Sequence, residues 1–161
     1  MIVRKMEEKD LDAVSATCIA SFLHSVAGTL SEEGSSTFSK IAASNAFFDR
    51  TKGDNLMLVA ECDGKLEGVV ELKEGRHIAM LFVAPEHQKK GVGKKLLLSA
   101  LDYAKVDTVT VRASLSSVPA YKKYGFECSG ATGESAGLIY QPMEIELNKP
   151  MRPTTTALKR S

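Results

Sequence analysis

The segment of residues 81–94 constrains the fold of this chain more than any other, because an apolar strand runs through a short loop into a helix that opens at glycine. A helix start gathers unpaired backbone N–H groups and the positive end of the helix dipole, about half a charge, at one point. Such a start is a binding site for phosphate groups. Four lysines crowd it: Lys89, Lys90, Lys94 and Lys95. The segment predicts a polyphosphate site, although the lysines alone fit a solvated surface equally well.

The spacing of the glycines decides which kind of phosphate site this is. A P-loop requires a glycine five residues before the Gly93-Lys94 pair, and the chain has Gln88 there. A dinucleotide-binding fingerprint requires a third glycine where the chain has Leu96. Both classes are excluded, and the pattern that remains is Gln88-x-x-Gly91-x-Gly93.

A second motif follows the next predicted strand. A serine suited to cap a short helix is followed by Tyr121, Lys123 and the pair Gly125-Phe126, in the pattern Tyr-x-Lys-x-Gly-Phe. Together the two motifs resemble the GCN5-related N-acetyltransferase (GNAT) superfamily. The first is similar to its acetyl-CoA pyrophosphate loop and the second to its tyrosine helix. The resemblance extends over residues 2–149.

The resemblance implies acetyl-CoA as cosubstrate, with no metal ion. It implies that main-chain groups of the strand end contact the pantetheine arm and that the loop and helix start bind the pyrophosphate. The residues concerned are Leu81, Phe82 and Val83 of the strand, and Gln88, Lys89, Lys90, Gly91, Val92, Gly93 and Lys94 of the loop and helix. It also implies an oxyanion donor at a backbone bulge within residues 80–83. Family members carry an asparagine after the last parallel strand, where Ser114 or Ser117 would make the corresponding contact here.

Acyl transfer from a thioester to an amine benefits from a proton donor for the departing thiolate. Tyrosine, with a pKa of about 10, is protonated at neutral pH and suits this role. Both this chemistry and the resemblance indicate Tyr121 as the general acid. A half-buried aromatic that only anchors a short helix is the alternative for Tyr121, and Tyr124 offers the same chemistry one turn further on.

The general base is open between three candidates. Family members that use a glutamate base carry it six residues before the last strand residue, where this chain has His77. Histidine has an ordinary pKa of about 6.5 and accepts a proton near neutrality. Glu71 acting through water and bulk solvent are the alternatives, and His77 equally fits a solvent-facing strand residue.

The composition indicates a single small domain. The chain has 161 residues, 43% hydrophobic and 25% charged, which fits one globular core. A net charge of +1 argues against a nucleic-acid binder, and the three cysteines lack metal-ligand spacing and suit a reducing cytoplasm. We find neither a secretory leader nor an apolar run near the ~20 residues of a membrane span. We therefore expect a cytoplasmic protein without a membrane partner.

Residue patterns predict an α+β (mixed α/β) fold. Strands are predicted at residues 2–6, 55–62, 66–72, 77–83, 108–113, 126–129 and 139–147, with a hairpin turn at Asp63-Gly64. Helices are predicted to open at residues 7–10 and run to residue 23, and to span residues 36–50, 93–105 and 117–124. We expect a GNAT-type mixed, mainly antiparallel sheet flanked by helices, whose one parallel strand-helix-strand unit forms the acetyl-CoA cleft. Residues 1–149 form the domain, and residues 150–161 are expected to be a disordered tail.

The resemblance implies an N-acetyltransferase that moves acetyl from acetyl-CoA to a primary amine by direct attack. The alternative is a catalytically silent acyl-CoA-binding or regulatory domain, which has no need of a thiolate donor such as Tyr121. The acceptor surface is expected on residues 21–50 and on the strands that face the tyrosine helix, and the sequence does not identify the acceptor amine. Dimers are common in the superfamily, so a homodimer is an open expectation.

Overall fold

The computed structural model describes residues 1–26 and 30–147. The strands in these ranges are β1 (Ile2–Lys5), β2 (Asn55–Cys62), β3 (Lys65–Lys73), β4 (His77–Val83), β5 (Thr108–Ala113), β6 (Glu127–Cys128), β7 (Gly133–Ser135) and β8 (Leu138–Glu146). The α-helices are α1 (Leu11–Val26), α2 (Glu32–Ile41), α3 (Ser44–Arg50), α4 (Val92–Leu101) and α5 (Val118–Tyr124). The tail predicted at residues 150–161 lies outside the described residues.

The strands form a mixed sheet in the order β1-β2-β3-β4-β5-β8-β6, with β7 paired to β8. The pairs described are antiparallel except for β4 and β5, which are parallel. Helix α4 makes the crossover between these two strands, as the sequence pattern predicts. The predicted fold class is therefore confirmed.

Helices cover both faces of the sheet. On the α4 face, side chains of β3, β4 and β5 pack against α4 and α5; the buried members include Val70, Leu72, Ile78, Val109, Val111, Leu96, Leu97 and Tyr121. On the α1 face, side chains of β2, β3 and β4 pack against the first three helices; the buried members include Val14, Cys18, Phe38, Phe47, Val59, Val69 and Met80. Because side chains alternate along a strand, the register assigns each strand residue to one of these faces.

The prediction of one helix over residues 36–50 is wrong. Two helices, α2 and α3, are separated at Ala43, whose backbone is extended. Helix α2 also begins earlier than predicted, because the Ser31 hydroxyl accepts a hydrogen bond from the Gly34 N–H and caps it. A glycine such as Gly34 is typical of a break between elements, but here it lies inside α2. A Cβ there would lie 2.5 Å from the Gly137 carbonyl oxygen. The glycine therefore permits α2 to contact the turn between β7 and β8.

Other element boundaries also differ from the predictions; helix α1, for example, continues to Val26 rather than to residue 23. Helix α4 ends at Leu101 rather than at residue 105, and Lys105 instead donates its backbone N–H to the Gly75 carbonyl at 2.8 Å. Strand β7 was not predicted, because its three residues are too short to show a strand pattern. It pairs with the first residues of β8 and extends that strand beyond the end of β5.

Candidate functional site

The loop after β4 is fixed to the end of that strand. The Gln88 side chain donates a hydrogen bond from Nε2 to the Val83 carbonyl at 3.0 Å. Lys89 and Gly91 both have left-handed backbones, with φ of 65° and 86°. These two residues turn the chain sharply into α4, which begins close to Val83 at the end of β4.

Within the described part of the chain, no side chain caps the start of α4. Its N-cap residue is Gly91, and among these residues no side-chain hydrogen bond reaches the first-turn N–H groups. A Cβ added at Gly91 would meet nothing within 4 Å, so the space before the helix is open. At Gly93 a Cβ would lie 3.1 Å from the Tyr124 hydroxyl and 3.5 Å from Val83 Cγ2. The arrangement leaves unpaired donors at an open, positively polarised helix end.

The four lysines around this helix start are all exposed: Lys89, Lys90, Lys94 and Lys95. Within the described residues, none of them forms an ion pair with a carboxylate. Cations in the first turn of a helix are disfavoured by about 0.3–1 kcal/mol each. The helix start therefore carries an uncompensated positive potential.

Strands β4 and β5 separate towards their carboxyl ends. Their ladder consists of His77 opposite Thr110 and Ile78 opposite Val111, and in the described chain no later pair joins them. Residues 79–83 of β4 therefore present a main-chain edge that β5 does not cover. On the other side of β4, Glu71 pairs with Met80 and Leu72 with Ile78, so Ala79 is an extra, bulged residue. The bulge is thus one residue earlier than the predicted segment 80–83.

The Tyr121 side chain is enclosed by other aromatic rings. It is 6% exposed and makes edge-to-face contacts with Tyr124 and Phe126, at centroid distances of 6.0 and 5.3 Å. Burial, and to a lesser extent the neighbouring Tyr124, raises the pKa of the Tyr121 hydroxyl well above its usual range. No hydrogen bond joins this hydroxyl to another side chain or carbonyl in residues 1–26 and 30–147. Tyr121 is therefore protonated over the whole neutral range.

The serines after β5 hydrogen-bond to each other. Ser114 Oγ and Ser117 Oγ are 2.7 Å apart, and Ser116 Oγ lies 3.4 Å from Ser114 Oγ. Each hydroxyl has one hydrogen to donate, so the pair retains donor capacity for a further group. The segment lies between the end of β5 and α5, on the far side of the opening from the β4 edge.

His77 lies at the first residue of β4, on the α1 face. Its Nδ1 is 2.7 Å from the Thr110 hydroxyl oxygen, which fixes the ring orientation. Burial above all, and then the positive charges of Arg112, Arg76 and Lys73, lowers the pKa of His77 below its usual value. The imidazole is therefore neutral at pH 7, and in the tautomer whose Nδ1–H donates to Thr110 the Nε2 atom is the proton acceptor.

Glu71, the other candidate base, is engaged by neighbouring side chains. It is 1% exposed, and its carboxylate accepts hydrogen bonds from Arg50 Nε at 3.0 Å and from Asn55 Nδ2 at 2.5 Å. These hydrogen bonds occupy the carboxylate oxygens, and burial separates them from water. The arrangement favours a structural role for Glu71, in tying α3 to the sheet, over proton transfer.

Sequence reasoning missed a polar group on the α1 face of β5 and β8. The Arg112 guanidinium lies over the Tyr140 ring, 4.7 Å from its centroid. Arg112 pairs with Pro142 in the β5–β8 register, which places Tyr140 diagonally opposite. The period-two alternation of residues 108–113 could have shown that Thr110 and Arg112 share a face, but not which β8 residue they meet.

The described residues contain no group of three or more His, Cys, Asp or Glu side chains arranged to hold a metal ion. Among the same residues, no helix has the length and apolar character required to cross a bilayer.

Comparison with known proteins gives the family. Residues 26–147 match the acetyltransferase (GNAT) domain family. A GCN5-related N-acetyltransferase from Rhodopseudomonas palustris superposes with a TM-score of 0.78 at 25% identity, over 91% of this chain and 95% of that one. The PaiA N-acetyltransferase from Thermoplasma acidophilum, solved with coenzyme A, shares the fold with a TM-score of 0.76 at 24% identity, over 90% and 98% of the two chains. The chain belongs to the GNAT acetyltransferase family, a class of acetyl-CoA-dependent acyltransferases.

Two curated relatives match shorter stretches. The spermidine N(1)-acetyltransferase of Escherichia coli is 30% identical over 84 residues, which is 45% of this chain and 45% of that protein. The peptidyl-lysine N-acetyltransferase YiaC of Escherichia coli is 51% identical over 39 residues, or 24% of this chain and 27% of that protein. The matches span less than half the length of either relative, and the two relatives act on different acceptors.

Proposed function

We propose that this protein is an N-acetyltransferase that transfers the acetyl group of acetyl-CoA to a primary amine by direct attack. The observation that carries the proposal is the uncapped start of α4 next to Val83, where the uncovered edge of β4 ends, together with the buried Tyr121. Tyr124 lies between the start of α4 and Tyr121, since it contacts the Tyr121 ring and its hydroxyl lies next to Gly93. The proposed domain spans residues 1–149.

The residues around the opening fit acetyl-CoA. The open space at Gly91 would let phosphate oxygens approach the N–H groups of Val92, Gly93 and Lys94, and Gln88 keeps the loop in place. The main chain of Leu81, Phe82 and Val83 would pair with the pantetheine arm, and the Ser114 and Ser117 hydroxyls would contact it from the β5 side. Lys89, Lys90 and Lys94 would add charge complementarity. Backbone N–H groups at the bulge around Ala79 would serve as the oxyanion donors.

Two proton transfers remain for the side chains. An amine with a lysine-like pKa of about 10.4 must lose its proton, which costs around 4–5 kcal/mol at pH 7. We assign this step to His77, whose pKa is lowered by burial and, to a lesser extent, by the neighbouring cations. The thiolate of the departing CoA would take its proton from Tyr121. Direct attack requires no cysteine nucleophile, and the buried Cys18 lies away from both motifs.

The fate of the thioester tests the proposal directly. Incubation of the protein with acetyl-CoA and a mixed panel of amines should release free CoA thiol in proportion to the acetylated amine found by mass spectrometry. CoA binding without any thiol release above the rate in water would indicate the catalytically silent domain instead.

His77→Ala should reduce the rate most at neutral pH and least at high pH, where the amine deprotonates without help. Because the pKa of His77 is lowered, the wild-type enzyme should keep its base as the pH falls to about 6.5, the ordinary histidine value, and lose it only below. The measurement is kcat/KM against pH for both proteins. General-base effects are typically about 10²–10⁴-fold.

His77→Gln is the matched control for this variant. Glutamine can keep a hydrogen bond to Thr110 but cannot act as a base at neutral pH, so it should resemble His77→Ala in its pH profile. Full activity of His77→Gln would show that the side chain only supports the strand, and would leave solvent as the base.

CoA should raise the melting temperature of the protein by an amount that shrinks as salt is added. A ligand that binds only the folded state stabilises it, and screening weakens the attraction between phosphates and the lysine cluster. Lys94→Gln should reduce the shift at low salt. The matched control is Lys65→Gln, an exposed lysine at the start of β3, which should leave the shift unchanged. A shift that is independent of salt would mean that the lysines do not contact the phosphates.

We further place the protein in the cytoplasm. Cys18, Cys62 and Cys128 are all free thiols in the structure, which suits a reducing compartment. Fractionation of the cell with detection of the protein tests this assignment.

A further inference from the structure

A row of polar side chains crosses the α1 face of the sheet beside the opening between β4 and β5. The register aligns His77 of β4 with Thr110 of β5, Thr110 with Glu144 of β8, and Glu144 with Glu127 of β6. Buried core side chains fill the α4 face at the same level. An amine acceptor that reaches the β4 edge must therefore approach across the α1 face, over these polar residues.

Arg112 lies on the same face as this row, two residues beyond Thr110 and therefore nearer to the carboxyl end of β5. Because Ile78 pairs with Val111, Arg112 is level with the bulge at Ala79. Arg112 is exposed, and no carboxylate of residues 1–26 and 30–147 forms an ion pair with it. Its charge is therefore available to a ligand close to the proposed site of acetyl transfer.

The Arg112 guanidinium is held in one place by Tyr140. It rests on the ring, 4.7 Å from the centroid. The ring lies close against Gly133 of β7, whose paired strand position has no side chain: a Cβ there would come within 2.8 Å of the Tyr140 hydroxyl. An arginine stacked in this way keeps its planar fork of N–H donors, which matches the geometry of a carboxylate or a phosphate group.

We infer that Arg112 binds an anionic group of the acceptor, so that the preferred acceptor is an amine that also carries a carboxylate or a phosphate. The inference rests on the proposed acetyl transfer and names the substrate class of that site. Polyamines lack such a group and would meet the charge of Arg112 as a repulsion. Glu144 and Glu127 carry the opposite charge and would favour a cationic acceptor. They lie level with Thr110, however, and so further than Arg112 from the carboxyl end of β5.

Matched pairs of acceptors test the inference. L-phenylalanine and L-phenylalaninamide differ in the carboxylate, and phosphoethanolamine and ethanolamine differ in the phosphate, which tells the two anion sources apart. Spermidine serves as the polyamine. The measured quantity is kcat/KM for each acceptor at about pH 8, well above the ordinary histidine pKa of about 6.5, so that His77 is neutral in every protein compared.

Arg112→Gln should reduce kcat/KM for one or both anionic acceptors about 10–100-fold, mainly through KM, as expected for a lost charge-assisted hydrogen bond. The neutral partners should change little. Taking the ratio of variant to wild-type kcat/KM for each acceptor removes differences in amine pKa, because the acceptor is the same in both measurements. Arg112→Glu should strengthen the effect and improve turnover of spermidine. The matched control is Arg76→Gln, since Arg76 also acts on His77 electrostatically but is paired with Glu74 at 2.7 Å. Arg76→Gln should lower kcat/KM for the anionic and the neutral acceptors equally, or should leave both unchanged.

The outcomes separate this inference from the proposed function. The role of Arg112 is overturned if Arg112→Gln loses kcat/KM equally for anionic and neutral acceptors, or if the wild type prefers spermidine. Neither result contradicts acetyl transfer itself. Absence of turnover with every amine, together with absence of CoA binding by calorimetry, would overturn the proposed function and the inference with it.

Discussion

Tyr121→Phe should reduce kcat about 10²–10⁴-fold, the usual range for loss of a general acid, while the affinity for CoA is preserved. Phenylalanine keeps the ring and its edge contacts with Tyr124 and Phe126, and removes only the hydroxyl. That hydroxyl is buried and has no protein partner in the described residues, so its removal should not lower the melting temperature. Steady-state kinetics, CoA calorimetry and thermal unfolding measure the three quantities.

The pH dependence adds a second criterion for Tyr121. Burial raises the pKa of its hydroxyl, so the proton remains in place as the pH rises and is lost only well into the alkaline range. The wild-type enzyme should therefore show no alkaline decline in kcat below the ordinary tyrosine pKa of about 10. A decline near pH 8 would indicate another acid.

Two further tyrosines provide matched controls. Tyr103→Phe changes an exposed ring that contacts Lys5, and it should leave kcat unaltered. Tyr124→Phe tests the neighbouring hydroxyl next to Gly93, whose loss should affect CoA affinity more than kcat. If Tyr124→Phe instead lowers kcat more than Tyr121→Phe does, the proton donor is Tyr124.

Much of the sheet could be predicted because its signals are local. The bounds of β2, β4 and β5 agree with the predictions to the residue, since apolar and β-branched runs end at turn residues such as the Asp63-Gly64 pair. The parallel arrangement of β4 and β5 followed from the helix between them. Where a glycine permits a contact with a distant segment, the prediction from local sequence was wrong: the helix predicted to begin at residue 36 begins earlier, at Glu32. Gly34 lies inside α2 because the turn at Gly137 approaches it, and no pattern near residue 34 reveals that contact.

The candidate site likewise combines features that local sequence predicted with features that depend on tertiary structure. The glycine spacing predicted the loop after β4, since backbone N–H groups require small residues wherever a ligand approaches them closely. The bulge at Ala79 had no sequence signal, because it depends on how β3 and β4 align. The pairing of Arg112 with Tyr140 likewise depends on the register between strands far apart in the sequence. Such side-chain contacts follow from tertiary structure and cannot be deduced from spacing within one segment.

Gly91→Glu should abolish CoA binding, with a loss of at least 100-fold in affinity expected from two effects. A side chain at Gly91 would project into the open space before α4, where phosphate oxygens must approach the first N–H groups. Its carboxylate would also repel the phosphates; two like charges 4 Å apart interact by about 1 kcal/mol in water and about 4 kcal/mol near a protein surface. Isothermal calorimetry with CoA measures the loss, and Gly91→Gln separates the steric from the electrostatic part.

Gly64→Glu is an unusually close control for this variant. Gly64, in the turn between β2 and β3, has φ of 81° against 86° for Gly91, and a Cβ at either position meets nothing within 4 Å. Both substitutions impose the same left-handed strain, about 1–2 kcal/mol, and should lower the melting temperature by similar amounts. Only Gly91→Glu should lose CoA. If Gly64→Glu loses CoA equally, the effect is one of stability. If Gly91→Glu binds CoA like the wild type, the phosphates do not lie at the start of α4, and the assignment of this loop is wrong.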